Sequence, residues 1–158
     1  MTLYFGDGTS QATAASPAGV VQTVSASTQT NYYFTSSTYA DTNLSASITP
    51  TSSSNKILVK FGLCTQAYAT NSTSLGLRIL RGSSVIYTND EYHWHSVNAA
   101  INLFYQSYME YLDSPSTTSS TTYKLQGARY RVSNGTQQAQ INPLSYQTSF
   151  IILQEVNP

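Results

Sequence analysis

The chain is 158 residues long, balances seven Lys plus Arg against seven Asp plus Glu, and has a pI near 6.7. Charged residues make up only 9% of it while Ser and Thr together number 45, so solubility rests on uncharged polar groups. That balance excludes a basic footprint for nucleic acid or an anionic membrane surface, supplies few general acids, bases or metal carboxylates, and suits strands whose outer faces carry Thr, Ser, Gln and Tyr.

In chain order, residues 1–19 show neither helical nor strand periodicity and consist largely of Gly, Ala, Ser and Thr. They read as an extended arm that can reach roughly 60 Å. No basic segment precedes an apolar stretch there, which predicts no secretory leader, and no apolar run approaches the length of a membrane span. Residues 20–158 form the second unit, a single compact domain. Strands are predicted at Val20–Ser25, Tyr32–Phe34 and Leu44–Ile48. After the small polar loop Thr51–Asn55, Ile57, Val59, Phe61 and Leu63 fall on one face of the next strand and Leu58, Lys60, Gly62 and Cys64 on the other.

Leu75, Leu77 and Ile79 define the following strand. The turn Arg81-Gly82-Ser83-Ser84 and a short strand Val85–Tyr87 then complete a hairpin. Further strands are predicted at Ile101–Leu112, Thr122–Val132, Gln137–Ile141 and Ser149–Val156. Eight to ten short strands with no capped amphipathic helix predict an all-β fold, a jelly-roll or other Greek-key β-sandwich of antiparallel strands.

Two of these strands are apolar on both faces. Phe150-Ile151-Ile152-Leu153 has no polar side, while Tyr105, Met109 and Tyr111 oppose Phe104, Tyr108 and Leu112 along one strand. Either a long loop of the monomer or a neighbouring subunit covers the second face. The 13 Tyr favour the subunit, since Tyr supplies large contact area at low entropy cost.

Few constellations carry chemistry. His93-Trp94-His95 places two imidazoles on one side of a strand, and three such pairs about a threefold axis suit an octahedral transition metal; Asp90-Glu91 beside them instead predicts an exposed loop. Tyr87, Asn89, Tyr92, Trp94 and Asn98 gather in the same predicted loop region. Aromatic faces with amide side chains are what a sugar needs, and the competing reading packs these rings between subunits. Glu110 and Asp113 are three apart and tend to face opposite sides, which is wrong for paired carboxylates. Gly-x-Ser-x-Gly is absent. Arg129 and Arg131, with Lys124 on the other face, read as a solvated or interface strand. Cys64 reads as a small buried hydrophobe, and the acceptor triplets at Asn43, Asn71 and Asn134 as what chance yields in a Ser/Thr-rich chain. No cofactor is expected.

The arm phrase Phe5-Gly6-Asp7-Gly8-Thr9-Ser10-Gln11-Ala12-Thr13-Ala14-Ala15 resembles one common in tail-fibre and other virion proteins of bacteriophages, marine and cyanobacterial phages above all. Later phrases resemble the accompanying β-domain: the run from Ser45 to Val59, then Leu80-Arg81-Gly82-Ser83, Tyr111-Leu112-Asp113-Ser114-Pro115 and Ile152-Leu153-Gln154-Glu155-Val156. The resemblance implies a noncatalytic phage structural protein with a jelly roll of the tumour-necrosis-factor-like kind, assembled as a homotrimer in the host cytoplasm and carried on the outer surface of the phage tail or capsid. The arm would anchor it to other virion proteins through Phe5, Asp7, Thr9 and Gln11, and the distal loops would face a host-surface glycan. Neither nucleic acid nor membrane insertion is implied. Some trimeric phage fibres use a His-x-His pair for an axial metal, which gives His93 and His95 a precedent. Without a long repetitive shaft the chain fits a short fibre, a fibre knob or a capsid decoration protein that clamps the shell. A glycan depolymerase using Glu110 and Asp113 is the enzymatic alternative.

Overall fold

Strands of the computed structural model follow the period-two alternation of the sequence, and the described residues are 3–4, 10–11, 19–69, 72–96, 101–130 and 137–157. In chain order they are β1 (Leu3–Tyr4), β2 (Ser10–Gln11), β3 (Val20–Thr28), β4 (Tyr32–Phe34), β5 (Ala40–Ile48), β6 (Lys56–Ala69), β7 (Ser72–Arg81), β8 (Ser84–Ser96), β9 (Ile101–Asp113), β10 (Thr121–Tyr130), β11 (Gln137–Ile141) and β12 (Ser149–Val156). Within the arm, β1 and β2 pair antiparallel, Leu3 opposite Gln11.

The other ten strands form two antiparallel sheets. One has the order β5-β10-β7-β8; in the other, β6 lies between β9 on one edge and β12 and β11 on its other edge, with β3 outside β12 and β4 outside β11. Setting aside the short β4 and β11, the eight main strands run first-eighth-third-sixth in one sheet and second-seventh-fourth-fifth in the other. That is the connectivity of a jelly roll.

Alternation decides which face each strand buries. Ile57, Val59, Phe61 and Leu63 of β6 point inward with Ile151 and Leu153 of β12 and Met109 of β9, and meet Leu75, Leu77 and Ile79 of β7, Leu44 and Ile48 of β5, and Tyr123 and Leu125 of β10. The β7–β8 hairpin turns at Gly82-Ser83 between the paired Arg81 and Ser84. Gly82 has φ +58 there, the first central position of a type II′ turn, where an L side chain would be strained.

One prediction needs correcting. The strand expected to end at Tyr87 continues to Ser96, so Asp90 and Glu91 lie in an edge strand instead of a loop. Its polar residues bond locally, Glu91 N donating to Asn89 Oδ1 at 3.1 Å, while bulges at Leu75–Leu77 and Ile79–Leu80 keep β8 in step with the apolar β7.

Buried polar groups close the gaps that apolar packing leaves. Where β6 exchanges partner from β11 to β12, the buried Asn142 takes φ 51 and donates from Nδ2 to the carbonyls of Thr28 and Thr30. Its Oδ1 accepts from Ser149 Oγ at 2.7 Å, and Ser149 Oγ accepts from Cys64 N at 3.1 Å. Cys64 is buried, as its setting predicts.

At one end of the sandwich two carboxylates share a rung, Glu155 and Asp113 each opposite Ile57 on its two sides. Glu155 is fully buried and accepts from Gln22 Nε2 at 2.5 Å, Asn55 Nδ2 at 2.6 Å, Thr51 N at 2.7 Å and Thr51 Oγ1 at 2.8 Å. Asp113 accepts from Arg81 Nη1 at 3.0 Å and from Tyr123 Oη at 2.6 Å. Burial and the Asp113 contact push the Tyr123 hydroxyl pKa far up, which keeps it a donor.

Burial alone would raise the Glu155 pKa, but the four donors outweigh it and bring the group down from 4.5 to about 2. Its stabilising contribution is therefore complete above pH 4.5 and is lost as pH falls through about 2. Glu155→Gln turns an amide N–H toward groups that already donate and should cost about 2 kcal/mol, read as a lower urea midpoint at neutral pH. The variant should also lose less stability than the parent between pH 4.5 and 2; equal acid sensitivity would contradict this role.

Candidate functional site

The aromatic segment singled out in the sequence lies on β8, across the open edge of the sandwich from β9. Tyr87 rests against the core and meets Tyr111 with ring centroids 5.9 Å apart. Tyr92 also packs on the core, and its hydroxyl donates to the Tyr108 carbonyl at 3.0 Å. His93 Nε2 is 2.6 Å from Ser107 Oγ, and its ring stacks on Tyr105 at 4.4 Å and meets Tyr92 edge-on at 4.7 Å. These side chains clasp β8 to β9 and so tie the two sheets together. Asn89 turns its amide oxygen to the Glu91 backbone. Asn98 lies outside the described residues, as do the side chains of Trp94 and His95; Phe5, Asp7 and Thr9 of the arm lie outside them too, and Gln11 is described only as backbone of β2.

Burial lowers the His93 pKa from 6.5 to about 4, so the imidazole is neutral over most of the physiological range. No group of three or more His, Cys, Asp or Glu is placed to hold a metal ion among the described residues. Glu110 is exposed on β9 opposite Lys60, whereas Asp113 is buried with Arg81 and Tyr123, so the two carboxylates do face apart as their spacing predicts. The basic stretch is engaged within the fold: Lys124 Nζ meets Asp41 Oδ2 at 3.1 Å, and Arg129 Nη2 donates to the Thr35 carbonyl at 2.5 Å. Arg131 lies outside the described residues, as do Asn71 and Asn134; Asn43 is exposed on β5.

The outer faces of the two sheets differ in kind. On β9, Tyr108 is 72% exposed, Leu112 50% and Phe104 48%. Beside them in register on β6 and β12 stand Leu58, Gly62, Phe150 and Ile152, with Lys60 opposite Glu110 among them. The Phe150 ring lies over Gly62, where an added Cβ would fall 2.2 Å from a ring carbon, so a larger residue there would displace the ring. The other sheet is mainly polar outside, with Val85 beside Leu80 near the β7–β8 turn as its apolar exception. Asp41 on β5, Gln126 on β10 and Arg78 on β7 stand in one register row. Gln126 Nε2 donates to Asp41 Oδ1 at 2.5 Å, Arg78 Nε donates to Gln126 Oε1 at 2.7 Å, and the Arg78 guanidinium lies 4.3 Å from the Tyr39 ring centroid. Tyr39 Oη donates to Asp90 Oδ1 at 2.6 Å. This row was not singled out in the sequence, because it is assembled from strands far apart in the chain.

No protein-family model and no curated protein matches the chain. No helix among the described residues is long and apolar enough to cross a membrane.

Because the folded pKa of His93 lies below its unfolded value, the stability tied to the neutral ring is full above pH 6.5 and is lost as pH falls through about 4. The melting temperature should decline across that window. His93→Asn should flatten the decline above pH 5; a profile unchanged by the substitution would contradict the clasp.

Proposed function

We propose that the chain is a noncatalytic structural protein of a bacteriophage particle, a short trimeric fibre or fibre knob held by its N-terminal arm and engaged in attachment to a host-surface glycan. The observation that carries this reading is the outer face of the β3-β12-β6-β9 region. Phe104, Tyr108 and Leu112 are between 48% and 72% open to solvent in the isolated chain, beside Phe150 and Ile152. Exposed apolar side chains gathered on one sheet face, with the Lys60–Glu110 rung between them, support an interaction site there. A neutral chain meets no long-range repulsion from its own copies. The phrases that resemble phage virion proteins support the particle assignment, and three weak glycan sites on one rigid trimer act together through effective concentration.

Capsid decoration is the neighbouring reading, distinguished by whether particles lacking the protein release their genome at lower temperature. Asp113 counts against a depolymerase, since its oxygens are spent on Arg81 and Tyr123 in the interior.

Removing residues 1–19 should leave the β-sandwich folded and self-associated while abolishing co-sedimentation with phage particles that lack the protein. Loss of folding, or undiminished incorporation, would contradict an anchoring arm. Tyr108→Glu places a charge at the most exposed ring of the apolar face and should weaken self-association by at least about tenfold with little change in far-ultraviolet circular dichroism. An unaltered association constant would remove that face from the interface.

A further inference from the structure

We propose that the bulged edge of β5, on the polar outer face of the second sheet, is a contact site for a neutral sugar. This deepens the host-surface reading given above and rests on it. Between the pairs Ser45–Lys124 and Asp41–Gln126, β5 spends three residues where β10 spends one. Asn43 at the middle of this bulge takes φ 52, a left-handed conformation that Asn tolerates better than most residues. Thr42 replaces lost ladder bonds, its hydroxyl donating to the Leu125 carbonyl at 2.9 Å and accepting from Leu44 N at 3.3 Å.

Thr42 and Leu44 thereby remain buried while Asp41, Asn43 and Ser45 stand exposed. A recess of about 90 Å³ opens between them, lined by Asp41, Asn43, Leu44, Ser45, Lys124 and Leu125. It accepts one edge or the exocyclic arm of a sugar ring and is too small for a whole pyranose.

The chemistry of the rim selects the ligand. The Gln126 hydrogen bond and the Lys124 contact lower the Asp41 pKa, so its carboxylate is a fixed acceptor, and its side chain is still 52% exposed. Lys124 supplies a donor at 29% exposure, and the Asn43 amide and Ser45 hydroxyl both donate and accept. A sugar hydroxyl also donates and accepts, so an acceptor and a donor 3.1 Å apart can satisfy both functions of one hydroxyl. The two charges cancel across that distance, which favours neither an anionic nor a cationic ligand. Preorganisation adds to the case: the carboxylate is held by Gln126, Gln126 by Arg78, and Arg78 by stacking on Tyr39. A site already locked gives up little side-chain entropy on binding.

The test uses the full chain on immobilised neutral, sialylated and sulfated oligosaccharides, with melting curves for each variant. At least one neutral hexose or N-acetylhexosamine oligosaccharide should retain the parent, and retention should persist in about 0.5 M NaCl, where exposed charges are screened. Asp41→Asn and Lys124→Ala should each weaken retention about tenfold. Ser45→Trp should abolish it by filling the recess. Retention unaffected by all three substitutions, or confined to charged glycans, would overturn the site. Retention lost in Asn98→Ala but untouched by the recess variants would overturn it while leaving glycan attachment in place. No retention on any glycan would overturn both.

Discussion

The structure turns on β6, the long central strand of a sheet with two faces and few charges with which to dress either. Its inner face is covered by the opposing sheet through Ile57, Val59, Phe61 and Leu63. On its outer face Leu58 and Gly62 lie between the half-exposed rings and side chains of β9 and the Phe150 and Ile152 of β12. Hydrophobic burial contributes roughly 25 cal/mol per Å² of apolar surface removed from water, so covering these side chains would stabilise the fold further. The polar sheet opposite has no such deficit, because Asp41, Gln126, Arg78, Tyr39 and Asp90 satisfy one another in rows across it. One face thus leaves large apolar side chains open to solvent, and the other is mainly polar.

Buried charge does the closing at the sandwich end. Glu155 and Asp113 flank Ile57 on one rung, and each is surrounded by donors, from other strands and, for Glu155, from the loop before β6. Four of the sequence phrases quoted above converge there. Thr51 and Asn55 from the first β-domain phrase donate to Glu155 of the last, and Arg81 from the second meets Asp113 of the third. Those phrases therefore mark how this jelly roll is shut. They speak to the architecture and leave the role to the surfaces.

Much of the fold was legible in the residues because period-two alternation reports burial directly: the inward sets on β6 and β7, the two-faced β9 and β12, and the Gly82 turn all stand where the pattern places them. Asn89, Asp90 and Glu91 look like a loop in the sequence, and the pairing of Asn89 with Leu77, the Ser74 hydroxyl on the Asp90 carbonyl and the Tyr39 contact hold them in β8. The polar row and the bulge recess left no local signal. Asn43 reads only as an acceptor triplet just ahead of the predicted Leu44–Ile48 strand until Ser45 and Asp41 are seen opposite Lys124 and Gln126. The ring-bearing segment that looked suited to sugars shows the converse. Tyr87 and Tyr92 have the right composition, but the fold uses them, with His93, to hold β8 to β9.

The central claim is that the apolar outer face is completed by other copies of the chain. Sedimentation equilibrium of the unmodified protein across roughly 1–50 μM, a range in which interfaces of standard size hold together, tests it most directly. The account predicts a single species at three times the 17.2 kDa chain mass. A stable, well-folded species at 17.2 kDa throughout that range would contradict it.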